Sequence, residues 1–234
     1  NSDERCVEAA YHLRSLGNYD EAIAMYREAL QYDRVSFSSM LGIVSCHLIN
    51  DNVAHARKEL EFLLVMHEDQ VGSSTELAVI ESLVSLHHNV DVDKHVILLQ
   101  ETMSEVLGHR IISTHTIEEH IGINPQFLLE VSQQLIKARR SIPDLPLSLG
   151  YKDDLLQLAI DLLQKITVVY PGSLRSWTTL AKTMIANDEY DGTIDVLERC
   201  ARVHTKSSIV QILLDDAYTF LERYDDASLR LDQA

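Results

Sequence analysis

Residues 16–30 read Leu16-Gly-Asn-Tyr-Asp-Glu-Ala-Ile-Ala-Met-Tyr-Arg-Glu-Ala-Leu30. An amphipathic helix needs only an apolar stripe at steps of three and four. This stretch also specifies size: after the Gly17-Asn18 turn, large Tyr19 and Tyr26 alternate with small Ala22 and Ala29. Near the other end, Tyr224, Ala227, Leu231 and Ala234 have the same spacing and nearly the same sizes. Small residues let helix backbones approach, and a large side chain then fills the adjacent space, because interiors are packed nearly as tightly as crystals. Ala22 and Ala29 are read as the contact points, and Tyr26 as the side chain filling the hole they leave.

Steps of 34 residues connect these positions along the chain. Ala22 leads to Ala56, and Ala227 leads back through Thr193 to Ala159. The large residue four places on gives Tyr26 and Leu60, then Leu163, Leu197 and Leu231. Tyr190 and Tyr224 are separated by the same step, and a third register runs through Ile166, Cys200 and Ala234. A period of 34 is that of the tetratricopeptide repeat, two antiparallel helices A and B per unit. The fifth unit has the fullest pattern: Trp177, Leu180, Ala181, Met184, Tyr190, Thr193, Leu197 and Cys200, with Met184 and Thr193 as mild departures. Pro171 closes the unit before it, as a residue that cannot continue a helix.

The expected fold is all-α, a right-handed solenoid of about six helical hairpins. The expected units are 1–35, 36–70, 71–107, 124–172, 173–206 and an incomplete 207–234, with a connector at 108–123. The turn of the third hairpin, Asn89-Val-Asp-Val-Asp93, reads as several residues too long. Pro143, Pro146 and Gly150 make 141–152 a loop inserted inside the fourth hairpin. Asn124-Pro125 signals a helix start, Asn as N-cap and Pro at the first helical position. Neither end carries the polar cap a solenoid requires, so the chain is expected to be a piece of a longer array.

Composition narrows function. The 234 residues are 46% apolar and 24% charged, with 8 glycines and 4 prolines. That balance favours a folded helical protein. A net charge of −16 argues against a nucleic-acid partner, which calls for clustered Lys and Arg. No apolar run is long enough for a transmembrane helix, so no direct membrane insertion is expected. Cys6, Cys46 and Cys200 lie far apart and read as free buried thiols.

No phosphate-binding, nucleophile-elbow or zinc-protease motif is present. The eleven histidines have no partners at zinc-finger spacing and are expected to face solvent. Carboxylate pairs such as Asp215-Asp216 read as solvated faces. No enzymatic activity, cofactor or metal is expected. Lys137-Ala-Arg-Arg140, the dense basic cluster, suits a helix C-terminus or an acidic partner loop. Binding is expected on a concave groove lined by the A helices, with Tyr11, Arg14, Ser45, Arg175, Lys182 and Asp216 as candidate lining residues. Val7, Leu48, Thr178, Ile212 and Phe220 belong to the same register. The cationic carboxylate clamp of chaperone-binding repeats is missing, since those positions hold Val7, Tyr11, Leu41 and Ser45.

Two segments carry a narrower resemblance. One begins Met40-Leu-Gly-Ile-Val-Ser-Cys-His-Leu-Ile49 and includes Lys58-Glu-Leu-Glu-Phe-Leu63 and Ser74-Thr-Glu-Leu77. The other begins at Ile123 with Asn124-Pro-Gln-Phe-Leu-Leu-Glu130 and continues past the proline-containing loop to Pro171-Gly172. Together they resemble the N-terminal half of the tetratricopeptide repeat protein 21 family, which includes a peripheral subunit of intraflagellar transport complex A. The resemblance covers residues 16 to about 234 and is most specific over 40–171. It implies a non-enzymatic scaffold in cytoplasm, cilium or flagellum and basal body, with other subunits of that complex as partners. A peptide-binding adaptor of some other complex is the alternative.

Overall fold

A computed structural model describes residues 2–68, 74–88, 90–108, 124–141 and 151–220. Among these residues there are eleven helices and no strand. They fall into two compact units, residues 1–102 and 103–234. The expected connector after Gly108, most of the inserted loop, and Tyr224, Ala227 and Leu231 lie outside the described residues.

The first unit holds α1 (Ser2–Ser15), α2 (Tyr19–Tyr32), α3 (Phe37–Ile49), α4 (Val53–Met66), α5 (Thr75–His87) and most of α6 (Val92–Gly108). α1 packs on α2 and α3 on α4, α1 and α5 both pack on α3, and α2 and α4 pack on the A helix that follows them. Burial therefore accumulates on α3, which is touched by α1, α2, α4 and α5. Every residue from Ser39 to Ile49 is buried. The sequence permits this because α3 has no acidic residue, lysine or arginine.

The size pattern of α2 acts here, with one correction. Ala10, Ala22, Ile23, Tyr26, Ile43 and Cys46 form one buried cluster across α1, α2 and α3. Ala22 and Ala29 are fully buried at close helix contacts. The hole that takes the Tyr26 ring is on the facing helix, at Gly42: a Cβ placed there would overlap the ring. The aromatic ring and the glycine are a matched pair across two repeats.

The second unit contains α7 (Pro125–Ser141), α8 (Tyr151–Val169), α9 (Leu174–Ala186), α10 (Tyr190–Val203) and α11 (Ser208–Phe220). Its contact scheme is the same: α7 on α8, α8 on α9, α9 on α10, α10 on α11, and α9 on both α7 and α11. Ala159, Leu163, Leu197 and Ala181 are fully buried, and Leu180 nearly so. In the first unit Ala56 is fully buried and Leu60 nearly so. Thr193 is tolerated among alanine positions because its hydroxyl donates to the Glu189 carbonyl at 2.7 Å. Its one polar atom is thereby satisfied inside the core.

Trp177 explains its distance from Pro171. The indole is buried, and its Nε1–H donates to the Pro171 carbonyl at 2.8 Å. The Arg199 guanidinium of α10 lies over the ring, 5.7 Å from its centre. The tryptophan thus links the end of one hairpin to both helices of the next.

Hairpin turns follow one geometry. Gly17 (φ 86°), Asp51 (φ 60°) and Asp188 (φ 60°) each occupy the left-handed region just after an A helix. The next amide then closes back to a carbonyl five residues earlier: Asn18 to Leu13, Asn52 to His47 and Glu189 to Met184, each at 2.9 Å. This is the closure of a Schellman C-cap, with aspartate replacing glycine in two of the three turns. The third hairpin also has a five-residue closure, Val90 to Ser85 at 3.1 Å, but its positive-φ residue, Asp91 at φ 41°, follows the closing amide. Its turn is not several residues too long: α5 ends at His87 and α6 starts at Val92, because Val92 and Asp93 are already helical.

Helix starts are also repeated. Ser36, Ser74 and Ser173 cap α3, α5 and α9, their hydroxyls accepting from Ser39, Leu77 and Ser176 amides. Asn124 Oδ1 accepts from the Gln126 and Phe127 amides ahead of α7, with Pro125 at the first helical position.

Candidate interaction surface

In the first unit α3 and α5 offer little open surface, while α1 exposes Glu4, Arg5, Glu8 and His12 beside Tyr11. Tyr11 is exposed at 38%, whereas Arg14 and Ser45, expected to line a groove, are 6% and 2% exposed. Leu41 and Leu48 are buried as well. For Leu41, Ser45 and Leu48 the reason is the crowding of α3 by four helices, and Ser45 satisfies its hydroxyl on the Leu41 carbonyl at 2.9 Å.

Histidine placement also departs from the expectation. His47 and His95 are buried rather than solvent-facing. His47 stacks on His55 with ring centres 5.5 Å apart, and neither His47 nitrogen has a hydrogen-bond partner. Burial lowers the His47 pKa, as do His55 and Arg27, while Glu59 and Asp20 oppose the shift. Burial likewise lowers the pKa of His95, whose Nδ1 lies 3.3 Å from the Ser82 hydroxyl of α5. Both shifts favour the neutral ring, which suits a packing role. Among the described residues, no group of three or more His, Cys, Asp or Glu side chains is placed to hold a metal ion.

In the second unit α7 buries Glu130, Ser132 and Gln134, whereas α9 and α11 carry charged positions in solvent. Arg175 and Lys182 of α9 and Asp216 of α11 are exposed. The Arg175 guanidinium donates to Gln133 Oε1 of α7 at 3.2 Å, which puts these two helices' outer residues on a common face. Thr178 and Thr179 turn their hydroxyls back to the Arg175 carbonyl, at 3.1 and 2.8 Å. On α11, Ile209 and Ile212 are exposed at 47% and 55%. Phe220 stacks on the ring of half-buried Tyr190 with centres 4.0 Å apart. At the edge of this unit a cleft of about 460 Å³ lies among Pro125, Leu129, Ile166, Tyr170 and the exposed Pro171.

The three cysteines are free and buried. Burial raises the Cys200 thiol to about 11, which leaves it a packing residue with little thiolate at neutral pH. No helix among the described residues is long and apolar enough to cross a membrane.

The repeated A–B hairpins, their buried small-and-large pattern and their common turn define an all-α repeat protein of the tetratricopeptide type. The chain belongs to the tetratricopeptide repeat protein 21 family: the model of that family's second ARM domain matches residues 1–216. Human tetratricopeptide repeat protein 21B is 23% identical over 223 residues, covering 94% of this chain and 16% of the relative. Human tetratricopeptide repeat protein 21A is 22% identical over 202 residues, covering 85% and 15%. The chain therefore spans about a sixth of the length of the curated relatives it matches. Among solved structures, the type IV pilus biogenesis factor PilW is similar over 100% of this chain and 92% of its own, at TM-score 0.58 and 12% identity. At that identity the likeness shows the fold alone.

Proposed function

We propose that this chain is a non-enzymatic interaction scaffold within a subunit of intraflagellar transport complex A. It acts in retrograde transport and cargo entry in the cilium or flagellum. Its partners are other subunits of that complex, and its location is cytoplasm, basal body and cilium. The observation that carries this reading is the family match, which covers the first compact unit and most of the second. The structure supports the scaffold role through its surfaces: repeated hairpins whose inward positions are packed and whose A helices in the second unit present side chains to solvent. The family's contacts are broad surfaces, so no catalytic residue is assigned.

The test is affinity purification of the full-length protein from ciliated cells, with mass spectrometry of what copurifies. Stoichiometric recovery of the other complex A subunits is the expected result. Recovery of chaperones or of an unrelated complex would overturn the ciliary assignment and leave the fold untouched.

A further inference from the structure

The B helix α4 has an inward face and an outward one, and the outward face is apolar at its centre. Ala56, Leu60 and Leu63 are buried on the inward side, where α4 meets α3 and α5. Phe62, Val65 and Met66 are 53%, 78% and 42% exposed. Steps of three and four put these three on one side of the helix, and Lys58 lies one turn before Phe62 on the same stripe. The helix carries two cations and two carboxylates, in a chain of net charge −16. Arg57 is paired with Glu61 at 3.0 Å, and Glu59 with Arg27 of α2 at 3.7 Å. Lys58 and Glu68 are exposed, and neither has an ion-pair partner among the described residues. They stand at opposite ends of the apolar stripe, Glu68 in the turn after Met66.

We propose that this face docks on the same face of a second copy of the chain, α4 against α4, antiparallel across a two-fold axis. Such an axis requires a self-complementary surface, in which each contact occurs twice. The stripe meets that requirement. The midpoint between Phe62 and Val65 falls half a residue from the midpoint between Lys58 and Glu68, a displacement of under about 1 Å along a helix. One axis therefore seats Phe62 on Val65 of the second copy and brings Lys58 to the Glu68 of that copy, and the reverse. A parallel pairing would set lysine against lysine and glutamate against glutamate. Charges flanking an apolar helix seam choose partner and orientation in this way. Repulsion between two acidic chains is screened beyond about 8 Å at physiological salt, and α4 itself is neutral. Three apolar side chains per copy make a small interface, of the class below about 1,200 Å² that gives weak and reversible association. The inference goes beyond the scaffold reading by adding a second copy of this chain to its partners.

The experiment is sedimentation equilibrium of the 234-residue chain over a rising concentration series at about 0.15 M salt. The average mass is expected to climb from monomer toward dimer. Val65→Glu, at a highly exposed position, should hold the chain monomeric. Lys58→Glu and Glu68→Lys should each weaken the dimer by about tenfold or more. Mixed in equal amounts, the two single variants should associate as the unaltered chain does, because each then meets its opposite charge. Overall repulsion predicts otherwise for Glu68→Lys, which makes the chain less negative and would tighten the dimer. Circular dichroism checks that each variant remains helical. A monomer at every concentration, dimerisation of Val65→Glu at the unaltered level, a tighter Glu68→Lys dimer, or no recovery on mixing would overturn the proposal. None of these results bears on which subunits copurify from cells.

Discussion

Helices α3 and α9 begin alike and end differently. Both are 13 residues long, and both start at a serine cap whose hydroxyl accepts from the amide three residues on. From there α3 is buried on all sides, whereas α9 buries Ser176, Trp177, Leu180, Ala181, Thr183 and Met184 and leaves Arg175 and Lys182 in water. The ninth residue makes the contrast plain: Ser45 in α3 and Lys182 in α9. The same repeat architecture can spend an A helix entirely on packing or use half of it for display. The inward pattern of sizes is shared, and the outward residues decide which of the two it is.

The sharpest way to break this contrast is to exchange those ninth residues. Ser45→Lys would place a charge in a site that is 2% exposed, and removal of pairing from a buried charge costs about 3–5 kcal/mol. We expect the variant to unfold at far lower urea, or to fail to fold; a midpoint equal to wild type would show that α3 is not closed as described. Both helices should still be equally sensitive on their inward side. Leu180→Ala in α9 is expected to cost about 2–5 kcal/mol, measured by the same titration, and a loss near zero would mean that α9 is only loosely packed.

Gly42→Ala tests the ring-against-glycine contact at the crowded end of the comparison. The added methyl must displace the Tyr26 ring, and overpacking of that kind costs about 1–3 kcal/mol. Pairing it with Tyr26→Leu should recover part of the loss, and a double variant no better than the single would argue against the contact. A smaller effect follows from His47. Its folded-state pKa is depressed below the ordinary 6.5, so the unfolded chain binds the proton more readily. Stability is then full above pH 6.5 and declines as pH falls toward the folded-state pKa; His95 acts in the same direction. His47→Phe should flatten the pH profile of the first unit, as read by thermal melts between pH 7 and 5, and an unchanged slope would remove His47 from the account. Least of all, Lys182→Ser should leave stability within about 0.5 kcal/mol, as exposed substitutions do; a larger loss would mean that Lys182 supports the fold.

Much of this architecture was legible in the chain because close packing constrains residue size, and size is visible in sequence. Ala22, Ala56 and Ala159 mark close contacts at steps of the repeat and are fully buried. Burial on the outward side was not legible, since it depends on how many neighbours a helix acquires. Arg14 and Ser45 occupy groove register yet are buried, and for Ser45 the uncharged composition of α3 was the signal that could have shown it. Gly42 was detectable as a glycine inside an apolar helix, where it costs stability unless something needs the space. The left-handed aspartates were harder to foresee, because asparagine and aspartate only tolerate that conformation, whereas Gly17 requires no such allowance. The cation face of the second unit was visible as register positions, but its link through Gln133 needed coordinates.

Trp177 is the chain's one tryptophan, and its place has an experimental consequence. The indole is 2% exposed, hydrogen-bonded to the Pro171 carbonyl and covered by Arg199. Its emission therefore reports on a single junction between consecutive hairpins of the second unit, while far-ultraviolet dichroism sums over every helix. Run side by side, the two signals separate that junction from the rest of the array without any label. A shared midpoint means that the repeats melt as one cooperative block, and an earlier spectral red shift means that the array comes apart first where the tryptophan sits.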